Sequence, residues 1–80
     1  MTVGEALRKR ITELCEKNKI TLNKLSIISG ITQSTLNNIV SGRNNSATVS
    51  TVKKICDGLD ISLIDFFDCE LFGDLEQEIK

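Results

Sequence analysis

Hydrophobic residues recur along most of the chain three or four positions apart, which is the spacing of helices that each bury one face. The apolar stripes of the five predicted helices are Leu7, Ile11, Leu14 and Cys15; Leu25 and Ile28; Leu36, Ile39 and Val40; Val49, Val52, Ile55 and Cys56; and Leu63, Phe66 and Phe67. The pattern therefore predicts an all-α fold.

The predicted helices carry their own start and stop signals. The hydroxyl residues expected to cap the five N-termini are Thr2, Thr21, Thr32, Thr48 and Ser62. The first and the last of these form capping boxes with Glu5 and Asp65, three positions later. Gly30 and Gly42 follow the second and third helices and can supply the left-handed residue that ends a helix.

The third predicted helix has a polar face without any charge. Its residues opposite the apolar stripe are Gln33, Ser34, Asn37, Asn38 and Ser41. A solvated helix face more often carries Lys and Glu pairs. Amide and hydroxyl side chains suit base edges, since Asn and Gln can bond adenine through two hydrogen bonds and Ser can bond several bases. On this stretch alone, base recognition and a simple exposed polar helix stay open as alternatives.

Charge is unevenly distributed along a chain whose net charge is only −1. Residues 17–56 contain six basic residues and no acidic one, whereas residues 57–80 contain eight acidic residues and a single base, Lys80. This split predicts a basic working surface next to an acidic end that faces away from any phosphate backbone. The third helix lies in the middle of the acid-free stretch.

Length and composition exclude several classes of protein. Eighty residues predict one domain with one small core. No segment approaches a membrane span or a signal peptide, so we expect a cytoplasmic protein. The three cysteines, Cys15, Cys56 and Cys69, lack a CxxC pair and the chain lacks His, so we expect neither a disulfide framework nor a metal or other cofactor. Without a nucleophile elbow or a Gly-rich phosphate loop, an enzyme is not expected.

Two helices joined by a short turn with Gly, the second having an outward polar face, describe a helix-turn-helix over about residues 21–41. Residues 14–67 resemble the Cro/repressor-type, or Xre-like, regulators of bacteria and phages. The matching positions are Thr21, Leu25, Ser26, Ile28, Gly30, Ile31, Thr32, Ser34, Thr35, Leu36, Ile39, Ser41, Gly42, Arg43, Thr51, Val52, Ile55, Leu59, Ile61, Ser62 and Phe66. The resemblance implies a five-helix, lambda-repressor-like domain that reads the major groove of double-stranded DNA with the helix at 32–41.

The resemblance also implies roles for individual residues. The candidates for base contact are Gln33, Ser34, Asn37 and Asn38. The candidates for phosphate contact are Thr32, Thr35, Arg43 and Asn44, assisted by Thr21 and Asn23. Helix N-termini attract phosphate, which agrees with the threonine and Asn23 positions, and Arg43 adds charge.

The chain departs from the family pattern at residues of the helix-turn-helix and of the core. Many relatives carry Gln at the second position of the helix-turn-helix, where it bridges phosphate and the reading helix, but this chain carries Leu22. Some phage members bury an Arg against a Glu of the reading helix, and the matching residues here are Cys15 and Val40. Apolar packing in place of a buried ion pair need not harm the fold.

The predicted domain covers residues 1–68, and residues 69–80 form a short acidic extension with apolar residues at roughly helical spacing. This tail either forms an amphipathic helix that dimerises the protein or holds a protein partner, or it folds back on the fifth helix. We expect a DNA-binding transcriptional regulator, a repressor acting as a homodimer. The alternative is a protein-interaction module, such as an antitoxin or an accessory subunit, which the overall acidity and Leu22 favour.

Overall fold

The computed structural model describes residues 1–42 and 47–79. Its elements are five helices, α1 (Val3–Asn18), α2 (Leu22–Ser29), α3 (Gln33–Val40), α4 (Val49–Leu59) and α5 (Leu63–Phe67), followed by a 3-10 turn at Glu70–Phe72. These two described ranges contain no strand. The predicted all-α fold is confirmed.

Each helix begins at the hydroxyl residue predicted from the sequence. The side-chain oxygens of Thr2, Thr21, Thr32, Thr48 and Ser62 all accept the N–H group three residues later. Both capping boxes are present. Gly30 ends α2 with a φ of 68°, and Gly42, with a φ of 82°, follows the C-cap residue Ser41 of α3.

One core occupies the space between the helices. Its buried members are Leu7, Ile11, Leu14, Cys15, Leu25, Leu36, Ile39, Val52, Ile55, Cys56 and Phe66. Val49 does not belong to it, because its side chain is 72% exposed. The prediction for Val49 was wrong since this residue opens α4, whereas the close contact of α4 with α2 lies two turns later, at Gly58.

At that contact α2 and α4 approach each other closely. A methyl group on Gly58 would lie 2.8 Å from Oγ of Ser29 and 2.9 Å from the carbonyl oxygen of Ile28. Only small residues permit such an approach. Ser26 and Ser29 are buried on the contacting side of α2.

The acidic extension folds back on the helices. The ring centroid of Phe72 lies 4.8 Å from that of Phe67 and 6.1 Å from that of Phe66. The N–H group of Glu76 donates to the carbonyl of Met1 at 3.0 Å. The helical spacing in this segment is realised only as the 3-10 turn, and Ile79 remains 88% exposed. The dimerising role of residues 69–80 stays a prediction.

Candidate nucleic-acid interface

The turn between α2 and α3 fixes the direction in which α3 leaves. Gly30 adopts the left-handed conformation, and the N–H group of Ile31 reaches back to the carbonyl of Ser26 at 3.2 Å. Leu36 and Ile39 then anchor α3, with exposed fractions of 0% and 4%. The opposite face of α3 therefore has a defined orientation relative to the core.

That opposite face is polar, exposed and uncharged. Gln33, Ser34 and Asn37 are exposed, and Asn38 is half-buried. Among the described residues, no hydrogen bond engages the side chains of Gln33, Ser34, Asn37 or Asn38, and Ser41 Oγ donates only to the backbone carbonyl of Asn38, at 3.3 Å. All four residues predicted to contact bases thus present unused hydrogen-bonding groups, with Asn38 half-buried.

The N-terminal ends of α2 and α3 present the other predicted contacts. Thr32 Oγ accepts from the N–H of Thr35 at 3.2 Å and donates to the hydroxyl of Thr35 at 2.8 Å. Thr21 Oγ accepts from the N–H of Lys24 at 3.1 Å. Thr21, Asn23, Thr32 and Thr35 are all exposed. Each cap satisfies one N–H group, and the remaining first-turn N–H groups and the helix dipole favour an anion.

Two predicted phosphate-contacting residues, Arg43 and Asn44, lie outside the described residues. The described parts of the acid-free stretch contain five lysines, Lys17, Lys19, Lys24, Lys53 and Lys54, all exposed. One of these charges is partly neutralised, because Lys53 Nζ lies 2.5 Å from Oδ1 of Asp57. The hydrogen bond with Asp57, helped by its charge, raises the pKa of Lys53. The other four lysines form no ion pair among the described residues.

The cysteines do not add a reactive group to this region. Cys15 and Cys56 are buried, as predicted, and Cys69 is half-buried. Burial raises the pKa of the Cys15 thiol, with a smaller contribution from the charge of Glu16. Burial also raises the pKa of the Cys56 thiol. A raised pKa leaves less thiolate at neutral pH, so both behave as packing residues.

The positions that depart from the family pattern lie together. Cys15 and Val40 line the same cleft of about 250 Å³ between α1 and the end of α3. Ile20 and Leu22 line it as well. Apolar side chains therefore occupy the place where some phage regulators have a buried ion pair.

The combination of a tight α2–α3 turn, an anchored α3 and its exposed polar face is that of a helix-turn-helix. The family model for the Cro/C1-type HTH DNA-binding domain matches residues 10–71. The chain belongs to this family. It is thus a helix-turn-helix DNA-binding domain, as the sequence resemblance implied.

A solved structure supports the same assignment. The chain is similar to the protein in the crystal structure of the prophage Lp1 protein 11, with a TM-score of 0.82 and 33% sequence identity over 94% of this chain and 99% of that one. No curated protein matches the chain. Within the described residues, no helix is long and apolar enough to cross a membrane.

Proposed function

We propose that this protein is a sequence-specific, double-stranded DNA-binding transcriptional regulator that reads the major groove with α3. The observation that carries the proposal is the uncharged, hydrogen-bonding face of a helix anchored by two buried residues. Gln33 and Asn37 can each make paired hydrogen bonds to adenine, and Ser34 can bond several bases. Thr21, Asn23, Thr32 and Thr35, together with Arg43 and Asn44, would hold the phosphates on either side.

We further propose that the regulator is a repressor. A protein bound over a promoter blocks RNA polymerase by occupancy, without any additional contact. Neither catalysis nor a cofactor is needed for that action. The cytoplasmic location expected from the sequence remains a prediction.

A homodimer is the assembly that suits this function. Two copies would place two reading helices on half-sites about 34 Å apart on one face of the duplex. The α5 surface, formed by Leu63, Ile64, Phe67 and Asp68, is largely apolar, with Ile64 80% exposed and Phe67 41% exposed. An exposed apolar patch of this kind can meet its own copy in a two-fold contact, in which the same patch of both subunits is buried.

Selection from a randomised duplex pool at near-physiological salt tests the proposal. An enriched palindromic motif is the expected result, because two-fold protein symmetry is mirrored in the operator. Weak, salt-sensitive binding without sequence selection would contradict specific regulation.

Sedimentation analysis of matched variants tests the dimer. Ile64→Asp is expected to yield a folded monomer with reduced affinity for a palindromic site. Ile79→Asp introduces the same charge at a residue that is 88% exposed and should leave the dimer intact. A dimer through α5 would be contradicted if the wild-type protein were monomeric, or if both variants had equal effects.

A second candidate function is a protein-interaction module on the same fold. The observation that favours it is the α5 surface within an acidic segment, since residues 57–79 contain eight acidic residues and no Lys or Arg. Failure of the DNA selection, together with a functional requirement for Ile64, would favour this candidate over the regulator.

A further inference from the structure

The side chain of Arg8 reaches from α1 to the residue that follows α3. A methyl group built on Gly42 would lie 2.7 Å from Nη1 of Arg8, so the guanidinium group lies directly against this glycine. Gly42 permits the approach because it has no side chain. The packing of α1 against α3 thus brings a cation to the C-terminal end of the predicted reading helix, which is the end opposite its N-cap, Thr32.

The charge of Arg8 is available to a ligand. Among the described residues no ion pair engages its guanidinium group. The acidic residue one turn before it, Glu5, is held elsewhere, because its carboxylate accepts from the N–H of Thr2 at 3.3 Å and from the Thr2 hydroxyl at 3.1 Å. Glu5 therefore does not form a direct pair with Arg8.

The position of Arg8 also answers an electrostatic need of the interface. The C-terminal end of a helix carries partial negative charge on its last carbonyl groups, which repels phosphate. A cation placed there offsets that charge. A guanidinium group has five donors in a planar fork, so one edge can lie against Gly42 while another binds phosphate oxygens.

We propose that Arg8 is a further phosphate-binding residue, contacting the DNA backbone beside the C-terminal end of α3. This inference rests on the proposed function and extends the interface to α1. The phosphates would then be held at both ends of the reading helix, by the Thr32 cap at one end and by Arg8 at the other.

Binding of matched variants to one duplex over a range of salt concentrations tests the proposal. Arg8→Gln is expected to weaken binding to cognate and unrelated duplexes by the same factor and to reduce the slope of log K against log salt by about 1 for each subunit bound. Lys9→Gln removes the same charge from the next position, which is exposed, and should have the same slope as the wild-type protein. Arg8→Lys keeps the charge and should also keep the slope.

Ethylation interference on the selected site separates contact from mere positioning. Ethylation of one phosphate should block binding of the wild-type protein but should no longer affect binding of Arg8→Gln. Circular dichroism should confirm that the variant is folded. An unchanged interference pattern and slope in Arg8→Gln, or equal losses from Lys9→Gln, would overturn this inference while leaving the regulator in place. Absence of DNA binding by the unchanged protein would overturn both.

Discussion

Arg10 donates its Nε–H to the backbone carbonyl of Phe66 at 2.7 Å, and this bond joins α1 to the C-terminal end of α5. Nη2 of the same guanidinium group donates to the carbonyl of Asp65 at 2.8 Å, and Nη1 pairs with the carboxylate of Glu13. Arg10 is only 8% exposed. A buried cation on the last carbonyls of a helix satisfies groups that the helix itself cannot, so Arg10 supports the helix that carries Ile64.

Arg10→Met should therefore lower the free energy of unfolding by about 2 to 3 kcal/mol, because the buried carbonyl of Phe66 and the partly buried carbonyl of Asp65 lose a charged donor. Urea denaturation followed by circular dichroism measures the change. The exposed neighbour Lys9 is the control, and Lys9→Met should stay within about 0.5 kcal/mol of the unchanged protein. Equal losses in the two variants would show that the contacts of Arg10 with α5 contribute nothing.

Substitutions on the polar face of α3 and at Arg43 should affect DNA binding in different ways. Gln33→Ala or Asn37→Ala is expected to weaken binding to cognate DNA by about 1 to 3 kcal/mol and to relax the base preference at one position of the site. Arg43→Ala should weaken binding to all sequences alike and reduce the slope of log K against log salt by about 1 for each subunit bound. Titration of cognate and mismatched duplexes at several salt concentrations separates the two patterns, and a uniform loss from all three changes would contradict the assigned roles.

Gly58→Ala should destabilise the fold although Ala favours helices over Gly by about 1 kcal/mol. The added methyl group would overlap Ser29 Oγ and the backbone of Ile28, and overpacking of this kind typically costs about 1 to 3 kcal/mol. Thermal unfolding measures the effect. Gly73→Ala serves as control because the nearest atom would lie at 3.5 Å, an ordinary contact. A more stable Gly58→Ala protein would mean that α2 and α4 separate easily.

Deletion of residues 69–80 should leave the helical domain folded but weaken the dimer. The deletion removes Phe72, which supports Phe67 at the edge of the α5 surface. Circular dichroism and sedimentation measure fold and assembly separately. Ile79→Ser, at a residue with few contacts, is the control and should change neither. An unfolded truncated chain would show that the tail belongs to the core, and unchanged assembly would remove it from the dimer.

Thiol labelling of the folded protein should modify Cys69 first. Cys15 and Cys56 are buried, and burial raises the pKa of both thiols, so at any given pH they expose less thiolate than an ordinary cysteine. Cys69→Ser should therefore abolish the fast phase of labelling, whereas Cys15→Ser should preserve it. Rapid modification of Cys56 below the unfolding transition would contradict the packing described for α4.

The sequence was sufficient to predict the helices and most of the core, because each helix combines a hydroxyl cap with an apolar stripe of its own. Leu36 and Ile39 were assigned to the core from spacing alone, and both are buried. The uncharged face of α3 followed from the same periodicity. Gln33 and Asn37 lie on this face because the local periodicity and the tertiary packing of α3 agree.

Contacts between residues far apart in the chain could not be predicted from the sequence. Nothing in the spacing around Arg10 distinguishes a buried cation from a solvated one, since its partners lie on a helix 55 or more positions away. The contact of Gly58 with Ser29 and that of Gly42 with Arg8 likewise depend on how the helices meet. Val49 has the right period for burial, yet its side chain is exposed and none of the five described helices covers it.

The five hydroxyl caps have a kinetic consequence. Because Thr2, Thr21, Thr32, Thr48 and Ser62 each bond only three residues ahead, every helix boundary is set by a contact that forms without closing a long loop. Chains dominated by such local contacts reach the native state in microseconds to milliseconds. The boundaries of all five helices can thus be set early in folding, before the long-range bonds of Arg10 to α5 form.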